Sequence, residues 1–294
     1  MKIHHLNCGT INPPGGPLAD GVSPWYRRGR AVCHCLLLET ATGLVLVDTG
    51  IGTHTIEKPT GSTERWFVRG LHPSLDPRET ALAQITALGF SANDVRHVVL
   101  THLDVDHVGG LPDFPNASVH LSSNEFDALQ HPRTWFERRR YLNQPALAHN
   151  PRWVPHADDG DTWMGFDGTQ QIAGLDGIVL VPLYGHTVGH IGVAIAKDSA
   201  AGSKWLLHGG DSFSYHGQLE TPARYPLGLK AFDNALQADK TLRLQNIERL
   251  RELAIRGDVD IFAAHDAHAF DRLTSTAPAH EPESNTHRDG QKKL

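Results

Sequence analysis

The sequence predicts a layered α/β protein with helices packed on sheets. Three observations point there. Apolar segments follow the order strands, helix, strand, helix, strands, helix, strand. The strand-like runs are short and largely apolar, as buried strands are. Histidines and aspartates recur just past the C-terminal ends of those runs.

Taken in order, Ala31 to Leu38 and Leu44 to Val47 are apolar runs separated by Glu-Thr-Ala-Thr-Gly, a turn composition. Residues 51–75 are rich in Gly, Thr and Pro and read as a loop. A helix is expected from Asp76, with Pro77 at its first position and Glu79 three residues after the cap. It runs through Ala81, Leu82, Ile85 and Leu88 and stops at Gly89. Val95–Leu100 and Ala117–Leu121 read as buried strands. Ser122–Leu129 reads as a capped helix with Glu125 completing the box. Residues 131–165 lack a steady period and read as irregular structure with short helices. Ile178–Leu183, Gly192–Ala196 and Lys204–Leu207 return to strand patterning. Phe232–Ile255 has helical spacing and Gly257 can end it. Val259–Ala263 is a last buried strand. The reading is one domain over residues 1–273 and a polar, disordered tail over 274–294.

Composition excludes several classes. At 294 residues the chain can bury a sizeable core. A net charge of −6 argues against a nucleic-acid partner. No run of about 18 apolar residues exists, so no membrane span is expected. The first residues lack the apolar region of a secretory signal. Cys33 and Cys35 share one strand face and read as packed, reduced thiols. Together these point to the cytoplasm. Histidine is the outlier, at 20 residues, and directs attention to the chemistry.

The central segment is Thr101-His102-Leu103-Asp104-Val105-Asp106-His107-Val108-Gly109-Gly110. Four potential metal ligands crowd into six residues at the end of an apolar strand, a rigid place from which to aim side chains at one point. Imidazole and carboxylate together suit zinc, iron or manganese. His186 in Gly185-His186-Thr187, Asp211 after Gly209-Gly210, and His265 follow three further strands.

This pattern resembles the metallo-β-lactamase superfamily, whose signature is His-x-His-x-Asp-His, a His in a Gly-His-Thr setting, a bridging Asp and a final His. The resemblance covers about residues 30–270. It implies a four-layered αββα sandwich with a two-metal site at one sheet edge. By that resemblance His102 and His186 hold the first metal, Asp106, His107 and His265 the second, and Asp211 bridges them. Asp48, in Val47-Asp48-Thr49-Gly50, matches the family's strand-end aspartate and would fix a ligand histidine's tautomer. His190 is a further candidate supporting residue. The chain departs from the signature at Asp104, where the family usually has histidine. Direct ligation by its oxygen is favoured and would admit iron or manganese, although zinc comes first. The flavodiiron proteins, with a glutamate at this place, hold iron. Asp104 acting through a water, and a weak first site, are the alternatives.

The resemblance further implies hydrolysis by a metal-bridging hydroxide, with Asp106 as proton acceptor and Tyr215 as donor to a developing oxyanion. Residues 61–75 and 131–155 would form lids. Trp66, Phe67, Trp135, Phe136, Tyr141 and Trp153 would supply apolar walls, and one arginine of the run 138–140, taken as Arg138, would pair with an acidic group on the substrate. A small ester or lactone such as an acyl homoserine lactone fits. A glyoxalase II-like thioesterase, a phosphodiesterase and a non-catalytic metal-binding or regulatory protein are the alternatives. A homodimer is compatible with the sequence.

Overall fold

In the computed structural model, residues 1–142, 144–149, 151–197 and 204–275 are described. Strands β1 (Lys2–Ile11), β2 (Ala31–Thr40) and β3 (Gly43–Val47) form an antiparallel ribbon. Along β2 and β3 most side chains are apolar and buried. Successive strand residues point to opposite faces, so such strands need cover on both sides. Leu36, Leu38, Val45 and Val47 face one core, whereas Leu37, Leu44 and Leu46 face another. Three parallel strands complete this sheet: β4 (Val95–Val99), β5 (Ser118–Ser122) and β6 (Arg152–His156).

The second sheet contains β7 (Asp161–Trp163), β8 (Phe166–Gln171), β9 (Ile178–Pro182), β10 (Ile191–Ala196), β11 (Trp205–His208) and β12 (Val259–Phe262), in the order β12-β11-β10-β9-β8-β7. Its pairs are antiparallel except β11 with β12. Ile178, Leu180, Val193 and Ile195 meet Leu36, Leu38, Val45 and Val47 between the sheets. The other face, through Val181, Ala194 and Leu207, packs on Ile247, Leu250 and Leu253 of helix Lys240–Arg256. Phe67, Ile85 and Ala128, from three helices, cover the outer face of the first sheet. These three cores make four layers, helix, sheet, sheet, helix, as expected. Each buried Leu, Ile or Val contributes about 1.5–3 kcal/mol, so the inter-sheet core is the frame to which the site is fixed.

Several expected elements differ. Asp76 caps only a 3-10 turn, Pro77–Glu79, by accepting the Arg78 N–H at 2.9 Å. Thr80 caps the following helix, Ala81–Ala87, because Glu79 turns away to Thr10. The loop expected over 51–75 contains helix Ser62–Leu71, started by Glu64, which accepts from the N–H groups of Thr60 and Gly61. Ser122 does cap helix Ser123–Gln130, but Glu125 points into the interior instead of closing a box. Residues 131–165 hold helix Trp135–Tyr141 and the unexpected strands β6 and β7. The single helix expected over 232–255 is two, Leu227–Leu236 and Lys240–Arg256. The break between them is pinned by hydrogen bonds from the N–H groups of Ala238 and Asp239 to the carbonyls of His186 and Gly185. Thr274 and Ser275 close the last helix, Ala267–Ser275, and the rest of the expected tail lies outside the described residues. Among the described residues no helix is long and apolar enough to cross a membrane.

Candidate metal centre

Five strand ends supply the site. Asp48 follows β3, the 102–107 turn follows β4, His186 follows β9, Asp211 follows β11 and His265 follows β12. All seven predicted ligands converge. In a first group, Asp104 Oδ2 lies 3.3 Å from His102 Nε2 and 3.1 Å from His186 Nε2. Asp211 Oδ2 is 4.0 and 3.6 Å from the same two rings. In a second group, His265 Nε2 lies 3.4 Å from Asp106 Oδ2, 3.2 Å from Asp211 Oδ2 and 3.2 Å from His107 Nε2. His107 Nε2 is 3.5 Å from Asp211 Oδ1.

These separations fit a cation. Donors around a tetrahedral ion held at about 2.0–2.1 Å stand about 3.3 Å apart. His102 Nε2 and Asp211 Oδ1 are buried with no hydrogen-bond partner, a state that a bound ion would relieve. The tautomers also fit. His107 Nδ1 donates to Asp48 Oδ2 at 2.8 Å and His265 Nδ1 donates to the Val32 carbonyl at 2.8 Å, so both rings turn Nε2 inward.

The charges agree. Burial raises the Asp48 carboxyl, but the His107 ring outweighs it and brings the group down to about 2. Burial, then the neighbouring His107 ring, brings His102 down to about 4, leaving it neutral as a ligand must be. His107 and His265 are pulled well above the ordinary range, against burial, chiefly by Asp211. The carboxylates here demand positive charge.

Supporting contacts explain the local sequence. Asp48 is held at φ 55°, unusual for a residue with a side chain, and also accepts from the Thr101 N–H and hydroxyl at 2.8 Å each. His190 is fully buried. Its Nδ1 donates to the Leu183 carbonyl and its Nε2 accepts the Asp211 N–H at 2.8 Å, so it positions Asp211. Gly210, at φ 53°, allows this approach, since a Cβ there would sit 2.5 Å from His190 Nε2.

The cage forms the floor of a cavity of about 1150 Å³. Asp104, Asp106, His186, Asp211 and His265 line it, as do Trp66, Phe67, Phe136 and Tyr215. Trp135 and Arg138 are exposed and lie outside the lining, so neither stands where the sequence reading put it. The run's other members, Arg139 and Arg140, face the cavity because the helix turns them there. Trp153 packs near Phe126, and Tyr141 donates to Glu125 at 3.0 Å, both away from the lining. Leu18, Phe232 and Leu236 add further walls; the sequence offered no sign of the first, and it read Phe232 and Leu236 only as part of a helix.

Three contributors were missed. Arg140 pairs with Asp104 through Nε–Oδ1 at 2.5 Å and Nη2–Oδ2 at 2.8 Å. Glu125, fully buried, accepts from the N–H groups of Leu103 and Gly189 and the hydroxyls of Thr187 and Tyr141. Cys33 is buried as expected, yet its thiol stands with Asp106 and His265 in a cluster whose ligand atoms lie within 4.8 Å of one another. The run of three arginines and the Glu125 spacing were the available signals. Neither says which side chain turns inward.

A cage of imidazoles and carboxylates at the strand ends of an αββα sandwich defines a metal-binding hydrolase scaffold. The chain belongs to the metallo-beta-lactamase superfamily, whose family model matches residues 28–265. It is 39% identical over 280 residues to the "probable metallo-hydrolase Rv2300c" of Mycobacterium tuberculosis, covering 94% of this chain and 84% of the relative. It is 25% identical to the N-acyl homoserine lactonase AiiA of Bacillus thuringiensis subsp. kurstaki, covering 79% and 80%. Among solved structures, a B. thuringiensis AiiA mutant with N-decanoyl-L-homoserine at its active site shares the fold, with a TM-score of 0.67 at 21% identity and coverage of 94% and 96%. AidC, a dizinc quorum-quenching lactonase, shares it at a TM-score of 0.60, with 16% identity and coverage of 90% and 86%. The protein is therefore a metallo-hydrolase of this superfamily.

Proposed function

We propose that the chain opens an ester or lactone of a small, partly apolar substrate, with an acyl homoserine lactone as the first candidate. One observation carries the reading: the ligand cage is the floor of a large cavity whose walls include Trp66, Phe67, Phe136 and Phe232. Such walls suit an acyl chain, and the lactonase relatives point the same way.

His102, Asp104, His186 and Asp211 would hold one divalent ion. Asp106, His107, His265 and Asp211 would hold the other, with zinc first and iron or manganese admitted by the Asp104 oxygen. Bound there, the ions would supply a water with a pKa lowered toward about 7 and a Lewis acid for the scissile oxygen. The chain's own groups do the rest. Asp106 faces the cavity, and burial foremost, then Asp211 and Asp104, raise its carboxyl above the ordinary range despite the nearby histidines. Asp106 would take a proton and return it in the course of ring opening. Tyr215 would donate a hydrogen bond to the developing oxyanion, and Arg139 would meet the polar head of the substrate. Asp48 and His190 would keep the ligands aimed.

The test is a panel of lactone, thioester, β-lactam and phosphodiester substrates, each with and without chelator. Chelator-sensitive turnover, highest on acyl homoserine lactones, is expected. No lactone turnover at millimolar substrate, with turnover of another class, would reassign the substrate. Metal binding without turnover of any member would make the chain a binding or regulatory protein.

A further inference from the structure

The Arg140 guanidinium lies inside the first ligand group. Its Nη2 is 2.8 Å from Asp104 Oδ2 and 3.1 Å from His186 Nε2, and its Nη1 donates to the His186 carbonyl at 3.1 Å. His186 Nε2 also stands 3.1 Å from Asp104 Oδ2, and either way, accepting the Arg140 N–H or donating to Asp104, it has no lone pair left for a cation until this arrangement is released. The carboxylate has spare lone pairs and can serve both. The conflict is thus confined to His186. The arginine is also fixed in place. It is 8% exposed, and the Gln144 side-chain amide bridges its carbonyl to that of Leu103, next to Asp104. Asp104 and Arg140 explain each other: an imidazole at 104 could not anchor a guanidinium through two oxygens.

The second group is different. Its ligands are engaged with one another and with Asp48, Val32 and His190.

We infer that Arg140 competes with metal for the first group, so the second group fills at lower metal concentration and the first fills only when Arg140 releases His186. The inference rests on the metal-dependent reading above and adds an order of loading to it. Arg140 is then a positioning residue with an occupancy role.

The test is equilibrium dialysis of the full chain against zinc buffers, with bound zinc per chain measured by mass spectrometry and no assay of activity. The parent should hold one zinc tightly and a second about tenfold or more weakly, the worth of one charge-assisted hydrogen bond. His265→Ala should lose the tight ion. Arg140→Gln should close the gap by tightening the second zinc. Weaker binding of that zinc in Arg140→Gln, with an unchanged circular-dichroism spectrum, would mean that Arg140 supports the ligands, and would overturn the inference. Arg140→Met guards against a misfolded glutamine variant. It removes the N–H donors while keeping the aliphatic bulk and the Asp104 carboxylate, and should also close the gap; a gap left intact there would overturn the inference too. So would two equally tight zincs in the parent. A chain that binds no zinc at any concentration contradicts the metal-dependent reading itself, and the inference falls with it.

Discussion

The two halves of the cage are held from different parts of the molecule. His107 and His265 are aimed by Asp48, at the end of β3, and by the Val32 carbonyl of β2, both on the central sheet frame. Asp104 and His186 are braced from outside that frame, whereas His102 Nδ1 meets the hydroxyl of Thr101, which Asp48 holds. Glu125, on helix Ser123–Gln130, ties the Leu103 N–H to Thr187 and the Gly189 N–H, while Arg140, on helix Trp135–Tyr141, ties Asp104 to His186. Asp211 serves both halves, with its N–H fixed by His190. One half is therefore tied directly to the strand frame. The other depends on two helices, of which Trp135–Tyr141 also walls the cavity, so changes in that helix would reach the first group before the second.

Breaking both halves at once should have the largest effect. Asp211→Ala removes the shared ligand, and should lose both ions on dialysis and lower kcat/KM by about 10³-fold or more, the scale of losing metal-based stabilisation of the transition state. Retention of both ions would refute the shared role.

Glu125→Ala should strike the first half. It strands four buried donors, and should destabilise the fold by about 3 kcal/mol in a urea titration. The remaining folded protein should bind the first ion more weakly and the second unchanged. Equal weakening of both would erase the distinction between the halves.

Asp48→Asn should strike the second half, lowering zinc affinity there by about 10–100-fold, the usual effect of removing a ligand's hydrogen-bond partner. Its pH dependence has a definite sign. The native carboxyl sits at about 2, below its ordinary 3.8, so folding favours the charged form. That contribution is present above about pH 4 and is lost as the pH falls toward about 2. Urea denaturation of the metal-free protein should show the parent's advantage over Asp48→Asn shrinking across that window.

The smallest expected effect separates wall from surface. Trp66 lines the cavity and Trp135 does not. Trp66→Ala should raise KM for long-chain substrates several-fold, about the worth of partial apolar burial, with kcat little changed. Trp135→Ala should leave both constants unchanged.

The residues that converge here were legible in the sequence because each follows an apolar strand, and strand ends are marked by composition. The four layers were legible for the same reason. What escaped depends on rotation about an axis and on partners distant in sequence. Nothing in Arg138-Arg139-Arg140 says which arginine turns inward. Glu125 has the spacing of a capping residue, yet its four partners lie outside its own helix. The break before Lys240 is set by Gly185 and His186, some fifty residues earlier, and local helical spacing could not reveal it. Helix Ser62–Leu71 was hidden by a loop-like composition, although Glu64 offered a start signal.

The central claim is that these seven side chains form a cage for cations. Crystals grown with zinc and measured at the zinc absorption edge test it most directly. The account predicts an anomalous peak among Asp106, His107, Asp211 and His265, about 2.0–2.2 Å from each ligand atom, and a second, weaker peak beside His102, Asp104 and His186. An anomalous map with no peak in either position would contradict it.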